Sequence, residues 1–121
     1  MKSPVMGLAP GDSLEKALEM FDHHMISGAP VLESDGKVVG VLSRTDIGAH
    51  LARGGEIIIS AESVMTPYVF LTRPEEPITK VLTTMTEMRI HRVVVTDKED
   101  RAVGIVTTMD LLAEMLQILA V

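Results

Sequence analysis

Gly40-Val41-Leu42-Ser43-Arg44-Thr45-Asp46 and Gly104-Ile105-Val106-Thr107-Thr108-Met109-Asp110 are two versions of one pattern, Gly-x-x-[Ser/Thr]-x-x-Asp. Each opens on a glycine and an apolar run and closes on a hydroxyl residue three places before a carboxylate. That last spacing is the signature of a capped helix start, in which the hydroxyl and the acid satisfy free backbone N–H groups at a helix N-terminus. The stretch therefore marks a strand that turns into a helix, and the chain contains it twice, 64 positions apart.

Working outward at that offset, the halves align without a gap over some fifty residues. Pro10 falls on Pro74, Leu18 on Leu82, Ile26 on Ile90, Val31 on Val95, and Val39-Gly40-Val41 on Val103-Gly104-Ile105. Where identity fails the chemistry mostly holds, as with Leu14 on Ile78, Asp12 on Glu76, Lys37 on Arg101 and Ile47 on Leu111. The chain is an internal duplication.

Each half reads alike. Pro10-Gly11-Asp12-Ser13 gives a turn and helix N-cap, followed by Leu14, Ala17, Leu18 and Phe21 at helical spacing. In the second half Pro77 stands in a first helical turn, followed by Ile78, Val81, Leu82 and Met85. Short β-branched runs at 29–32 and 93–96, then 38–42 and 103–106, predict a hairpin in each half. Closing helices are expected from about Thr45 to Ala52 and from about Met109 to Leu119, the first ended by Gly54-Gly55. The unit is β-α-β-β-α, twice. Since each half is too small to bury its own apolar face, the expectation is one α/β (α+β) module with pseudo-two-fold symmetry, packed sheet to sheet. Its divisions are 1–53, a connector at 54–66 in which Glu56 to Ser60 adds an extended segment, and 67–121.

With 46% hydrophobic residues the 121-residue chain has material for a core, and with aromatics at 2% (Phe21, Phe70 and Tyr68) that core must be aliphatic. A net charge of −6 and the lack of an aromatic series argue against nucleic acid. Apolar runs are only a few residues long, against the ~20 a membrane span needs. No cysteine is present, which removes disulfides and thiolate metal sites and suits a cytoplasmic protein. No Gly-x-Ser-x-Gly, Walker loop or His-Glu-x-x-His occurs. Asp46 and Asp110, as repeat equivalents, belong in separate symmetric sites rather than a carboxylate dyad. No reaction is assigned, and the expectation is a protein that is not an enzyme.

The Ser/Thr-x-x-Asp junctions admit two readings. They are helix caps, or they are also ligand sites, because a helix N-terminus offers N–H groups and a positive dipole end to a phosphate. An Asp at that place can accept from two ribose hydroxyls. His91 and Arg92 add positive charge that a cap does not need, whereas the first repeat has Ser27 and Gly28 there. One good site and one poor or empty one follow. Arg44 either supplies charge to the first site or is a solvated first-turn residue. Arg89 is read as a helix cap, and Met85, Met88, Met109 and Met115 as packing. His23 and His24, adjacent on a helix, point apart and cannot share a metal.

The repeat length and the Gly-x-x-[Ser/Thr]-x-x-Asp junction resemble the CBS domain family, and two repeats resemble a CBS pair, or Bateman module. Val64-Met65-Thr66-Pro67 resembles the family's lead-in to its second motif. Arg89-Ile90-His91-Arg92-Val93-Val94-Val95 is similar to the matching strand in the gamma subunit of AMP-activated protein kinase. The resemblance implies a regulatory module whose cleft between repeats binds AMP, ADP, ATP or S-adenosylmethionine, with no cofactor required. By position, Asp46 and Asp110 would hold ribose hydroxyls, and Ser43 and Thr107 sugar or phosphate. His91 and Arg92 would reach phosphates, and adenine would lie among Val69, Leu71, Val94 and Ile105. It also implies a homodimer through amphipathic helices including Leu111, Leu112, Met115 and Leu116, and a fused or separate effector. The competing reading is a ligand-free dimerisation or protein-interaction scaffold.

Overall fold

The computed structural model describes residues 6–67 and 70–119, which form two compact units, one within each part. In the first, Ser13 caps helix α1 (Leu14–His24) by accepting from the Lys16 N–H, and Leu14, Ala17 and Phe21 recur on its buried face. Strands β1 (Gly28–Leu32) and β2 (Val38–Ser43) form the expected hairpin, Gly28 opposite Ser43 and Pro30 opposite Val41. Helix α2 (Arg44–Ala52) follows β2 directly, and a single-turn helix α3 (Ala61–Val64) lies in the connector. The leading strand of this repeat is reduced to one parallel bridge between Leu8 and Val31, held by Leu8 N–H to Pro30 O and Leu32 N–H to Leu8 O. The core gathers Leu8, Leu14, Ala17, Phe21, Ala29, Val31, Leu42, Ile47 and Ala61.

The second unit repeats the plan. Strand β3 (Leu71–Thr72) runs parallel to β4 (Arg92–Thr96), which pairs antiparallel with β5 (Ala102–Thr107) in the order β3-β4-β5. Helix α4 (Ile78–Met88) starts after Pro77, and α5 (Thr108–Leu119) follows β5 without a break. Met85, Val93, Val95, Val106 and Leu111 form its core. Both hairpins carry a register shift at the same place, after Val31 and after Val95. The mixed α/β class with two equivalent repeats, expected from the sequence, is what the structure has.

Three local expectations fail. Residues 56–60 are not one extended segment: Ser60 alone is extended, bridged antiparallel to Ser13. The chain turns at 57–59, where the carbonyls of Ile57 and Ile59 are needed as acceptors for the Glu15 and Leu14 N–H groups at the start of α1. Met88 and Met109 do not pack but stand 53% and 73% exposed, on the outer faces of α4 and α5. Leu111 belongs to the core rather than to a dimer surface. The exposed apolar stripe of α5 is Met109, Leu112, Leu116 and Leu119, at i, i+3, i+7 and i+10.

Candidate functional site

Both strand-to-helix junctions are closed capping boxes. At the first, the Ser43 N–H donates to Asp46 Oδ2 at 3.0 Å and the Asp46 N–H to Ser43 Oγ at 3.1 Å. At the second, Thr107 N–H reaches Asp110 Oδ2 at 2.9 Å and Asp110 N–H reaches Thr107 Oγ1 at 3.1 Å. The cap reading is thus correct as far as it goes. It leaves a second oxygen on each Asp, and here the repeats diverge. Asp46 Oδ1 accepts from Thr66 Oγ1 at 3.4 Å, whereas Asp110 is exposed and no bond to its Oδ1 comes from the described residues.

The ladder fixes what stands beside each box. Arg92 is the cross-strand partner of Thr107, and the carbonyl of His91 accepts from the Thr108 N–H at 2.9 Å. Two places along the same ladder, Val94 is the partner of both Leu71 on β3 and Ile105 on β5. Because side chains alternate along a strand, Leu71, Arg92, Val94, Ile105 and Thr107 share one sheet face, opposite the core face of Val93, Val95 and Val106. Asp110 opens the helix that continues from that face. Five residues chosen from separate parts of the sequence thus meet on one surface. Leu71 is half-exposed there and Val94 is fully buried, while Val69 lies outside the described residues.

The first repeat offers Gly28 opposite Ser43 and Pro30 opposite Val41, a face without a cation. Arg44 does not supply one. Its Nη2 is 2.7 Å from Asp22 Oδ1, its Nε donates to the Ile26 carbonyl at 3.2 Å, and its guanidinium lies 5.9 Å from the Phe21 ring centre. The His23 and His24 rings meet edge to face at 4.8 Å, and no cluster of three potential metal ligands occurs among the described residues. No helix among them is long and apolar enough to cross a membrane.

Sequence reasoning missed two residues. Arg73 donates from Nη1 to the buried Thr96 hydroxyl at 3.2 Å and from Nη2 to Asp100 at 2.9 Å, tying β3 to the β4–β5 hairpin. Thr66, read only as part of a lead-in, holds Asp46 and pairs its backbone with Val41.

The sequence model of the CBS domain matches residues 1–53 and 61–117. A homoserine O-acetyltransferase of Methanohalobium evestigatum is 31% identical over 111 residues, covering 92% of this chain but 22% of the enzyme. The chain spans about a fifth of the length of this enzyme and of three other curated relatives it matches. The solved CBS domain pair of protein MJ0100, in complex with 5′-methylthioadenosine and S-adenosyl-L-methionine, superposes with a TM-score of 0.87 at 28% identity, covering 97% of this chain and 91% of that one. The structure of CBSX2 in complex with AMP superposes with a TM-score of 0.81 over 97% and 91% of the two chains, and at 22% identity that likeness is one of fold.

Proposed function

The chain belongs to the CBS domain family as two tandem repeats, and from that premise we propose that it is a regulatory module whose second repeat binds an adenosyl ligand through Asp110, Thr107, Arg92 and His91. The observation that carries this reading is the shared sheet face of Leu71, Arg92, Val94, Ile105 and Thr107, with Asp110 at its end. An apolar row for a base runs into a hydroxyl and a guanidinium, and then into a carboxylate with one oxygen still open to ribose hydroxyls. The MJ0100 pair holds adenosyl compounds at 28% identity, which supports the ligand class. The first repeat is the poorer site, because its Asp46 is engaged by Thr66 and its face carries glycine and proline.

Within the class, Arg92 and His91 favour AMP, ADP or ATP over S-adenosylmethionine and 5′-methylthioadenosine, which have no phosphate. A thermal-shift series with these five ligands tests the proposal. At about 100 times the dissociation constant a ligand stabilises by roughly 2.7 kcal/mol, a rise on the order of ten degrees for a chain of this size. The rise should vanish in Asp110→Asn and persist in Asp46→Asn. No rise with any of the five rejects the ligand reading.

A specific observation also favours self-association. Met109, Leu112, Leu116 and Leu119 form one exposed apolar stripe on α5, and a second copy of the same helix would cover it. The module is proposed to be a homodimer that acts on a fused or separate effector through the difference in ligand affinity between two states.

A further inference from the structure

Helices α2 and α5 hold equivalent places in the two repeats, and their outward faces differ in size and in charge. The exposed stripe of α5 runs through Met109, Leu112 and Leu116. The residues 64 positions earlier are Thr45, Gly48 and Ala52, small and likewise exposed on α2, and Ala49 beside them matches Ala113. A Cβ on Gly48 would meet nothing within 4 Å, so nothing in its own surroundings calls for a glycine inside that helix. The flank of the stripe carries base on α2, as His50 and Arg53, where α5 has Glu114 and Gln117. No base stands in the last turn of α5. Asp46 and Asp110 occur on both helices, each held in its capping box, and cancel in the comparison.

In a second copy the α5 stripe can be covered by α5 or by α2. Against α5, leucines meet leucines, two copies of Glu114 come to one seam, and the contact forms once, on the two-fold axis. Against α2, Leu112 and Leu116 lie over Gly48, Ala49 and Ala52, a surface that lets the helix axes approach and large residues interdigitate with small ones. Glu114 then meets a basic flank. The axis also repeats the contact, so both helices of both copies are covered. A stable interface takes about 800 Å² from each partner, which two helices supply more readily than one of 12 residues. We propose that the homodimer inferred above, on which this reading rests, joins unlike repeats: α5 of each copy packs on the Thr45, Gly48, Ala49 and Ala52 face of the other copy's α2. Asp110 opens that same α5, so ligand at the second repeat and contact with the other copy's first repeat share one element.

Because the chain has no cysteine, single cysteines report the pairing directly. The Ala49→Cys and Ala113→Cys chains, both substituted at exposed positions, are oxidised separately and as an equimolar mixture. A disulfide-linked dimer with one chain of each kind is expected from the mixture, and no linkage from either chain alone. Linkage in the Ala113→Cys chain alone would overturn the proposal while leaving the homodimer in place. So would a chain that sediments as a dimer yet links in none of the three samples. A wild-type chain that sediments as a monomer would overturn both. As a second measure, Gly48→Lys with Ala52→Lys should weaken self-association roughly tenfold or more, the cost of burying charge in an apolar seam. Unchanged association would place the contact away from α2 and overturn the proposal.

Discussion

Both first helices of the repeats end on a non-glycine residue with left-handed backbone, Met25 at φ 55° and Arg89 at φ 55°. Each is followed by an isoleucine whose N–H returns to the helix, Ile26 to Phe21 O at 2.9 Å and Ile90 to Met85 O at 3.0 Å. This is the ending that glycine usually serves, and a side chain there costs about 1–2 kcal/mol. Met25, 91% exposed, returns nothing for that cost. Met25→Gly should therefore raise stability by about 0.5–1 kcal/mol after allowing for the freer unfolded chain, seen as a melting temperature a few degrees higher; a fall would reject the assignment of strain. Asp97 gives the pH prediction. The Arg101 backbone N–H foremost, then those of Glu99 and the Arg101 side chain, hold its carboxyl below the ordinary carboxylate value. A depressed folded value means the contribution is complete above the unfolded pKa and disappears as pH falls through the folded one. Carboxyl-carbon NMR should show Asp97 titrating below a normal aspartate, and a normal or raised midpoint would remove those bonds from the account. The capping boxes were legible because their residue types are specific to the job, whereas the two left-handed endings were not, since neither methionine nor arginine signals one.

At the scale of elements, Gly40 and Gly48 make a matched test. A Cβ on Gly40 would meet Met65 Sδ at 2.5 Å and the Thr66 carbonyl at 2.9 Å, because the connector lies directly on β2. A Cβ on Gly48, inside α2, would meet nothing within 4 Å. Gly40→Ala should cost about 1–3 kcal/mol as an overpacked contact against backbone, and Gly48→Ala should add up to about 1 kcal/mol of helix propensity. Denaturant midpoints measure both, and equal effects would deny that the connector fixes β2. Gly40 is thus explained by what crosses it, a fact that local pattern could not reveal. Helices and hairpins were readable from period and turn residues. Ile57-Ile58-Ile59 was misread as extended because β-branched residues carry that preference, while the unpaired N–H groups of α1 imposed a turn instead.

For the whole molecule, the 64-residue period made the architecture legible, and the ladder supplied what the period could not: which distant residues share a face. Leu71, Val94 and Ile105 come from three strands, and only their register places them in one row. The α5 stripe belongs to this scale too. Leu112→Glu with Leu116→Glu, both at exposed positions, should convert a dimer into a monomer in sedimentation while leaving the far-ultraviolet circular dichroism unchanged. A wild-type chain that sediments as a monomer would remove the dimer from the proposal. The connector has a last consequence, in time. Among the described residues, the first core draws on positions as late as Met65 and the second on Phe70 and later ones. On a ribosome adding about 5–20 residues per second, everything the first core needs has been made roughly 3–10 seconds before the last helix of the second. The nascent first half therefore never has to wait, half-filled, for sequence that belongs to its sibling.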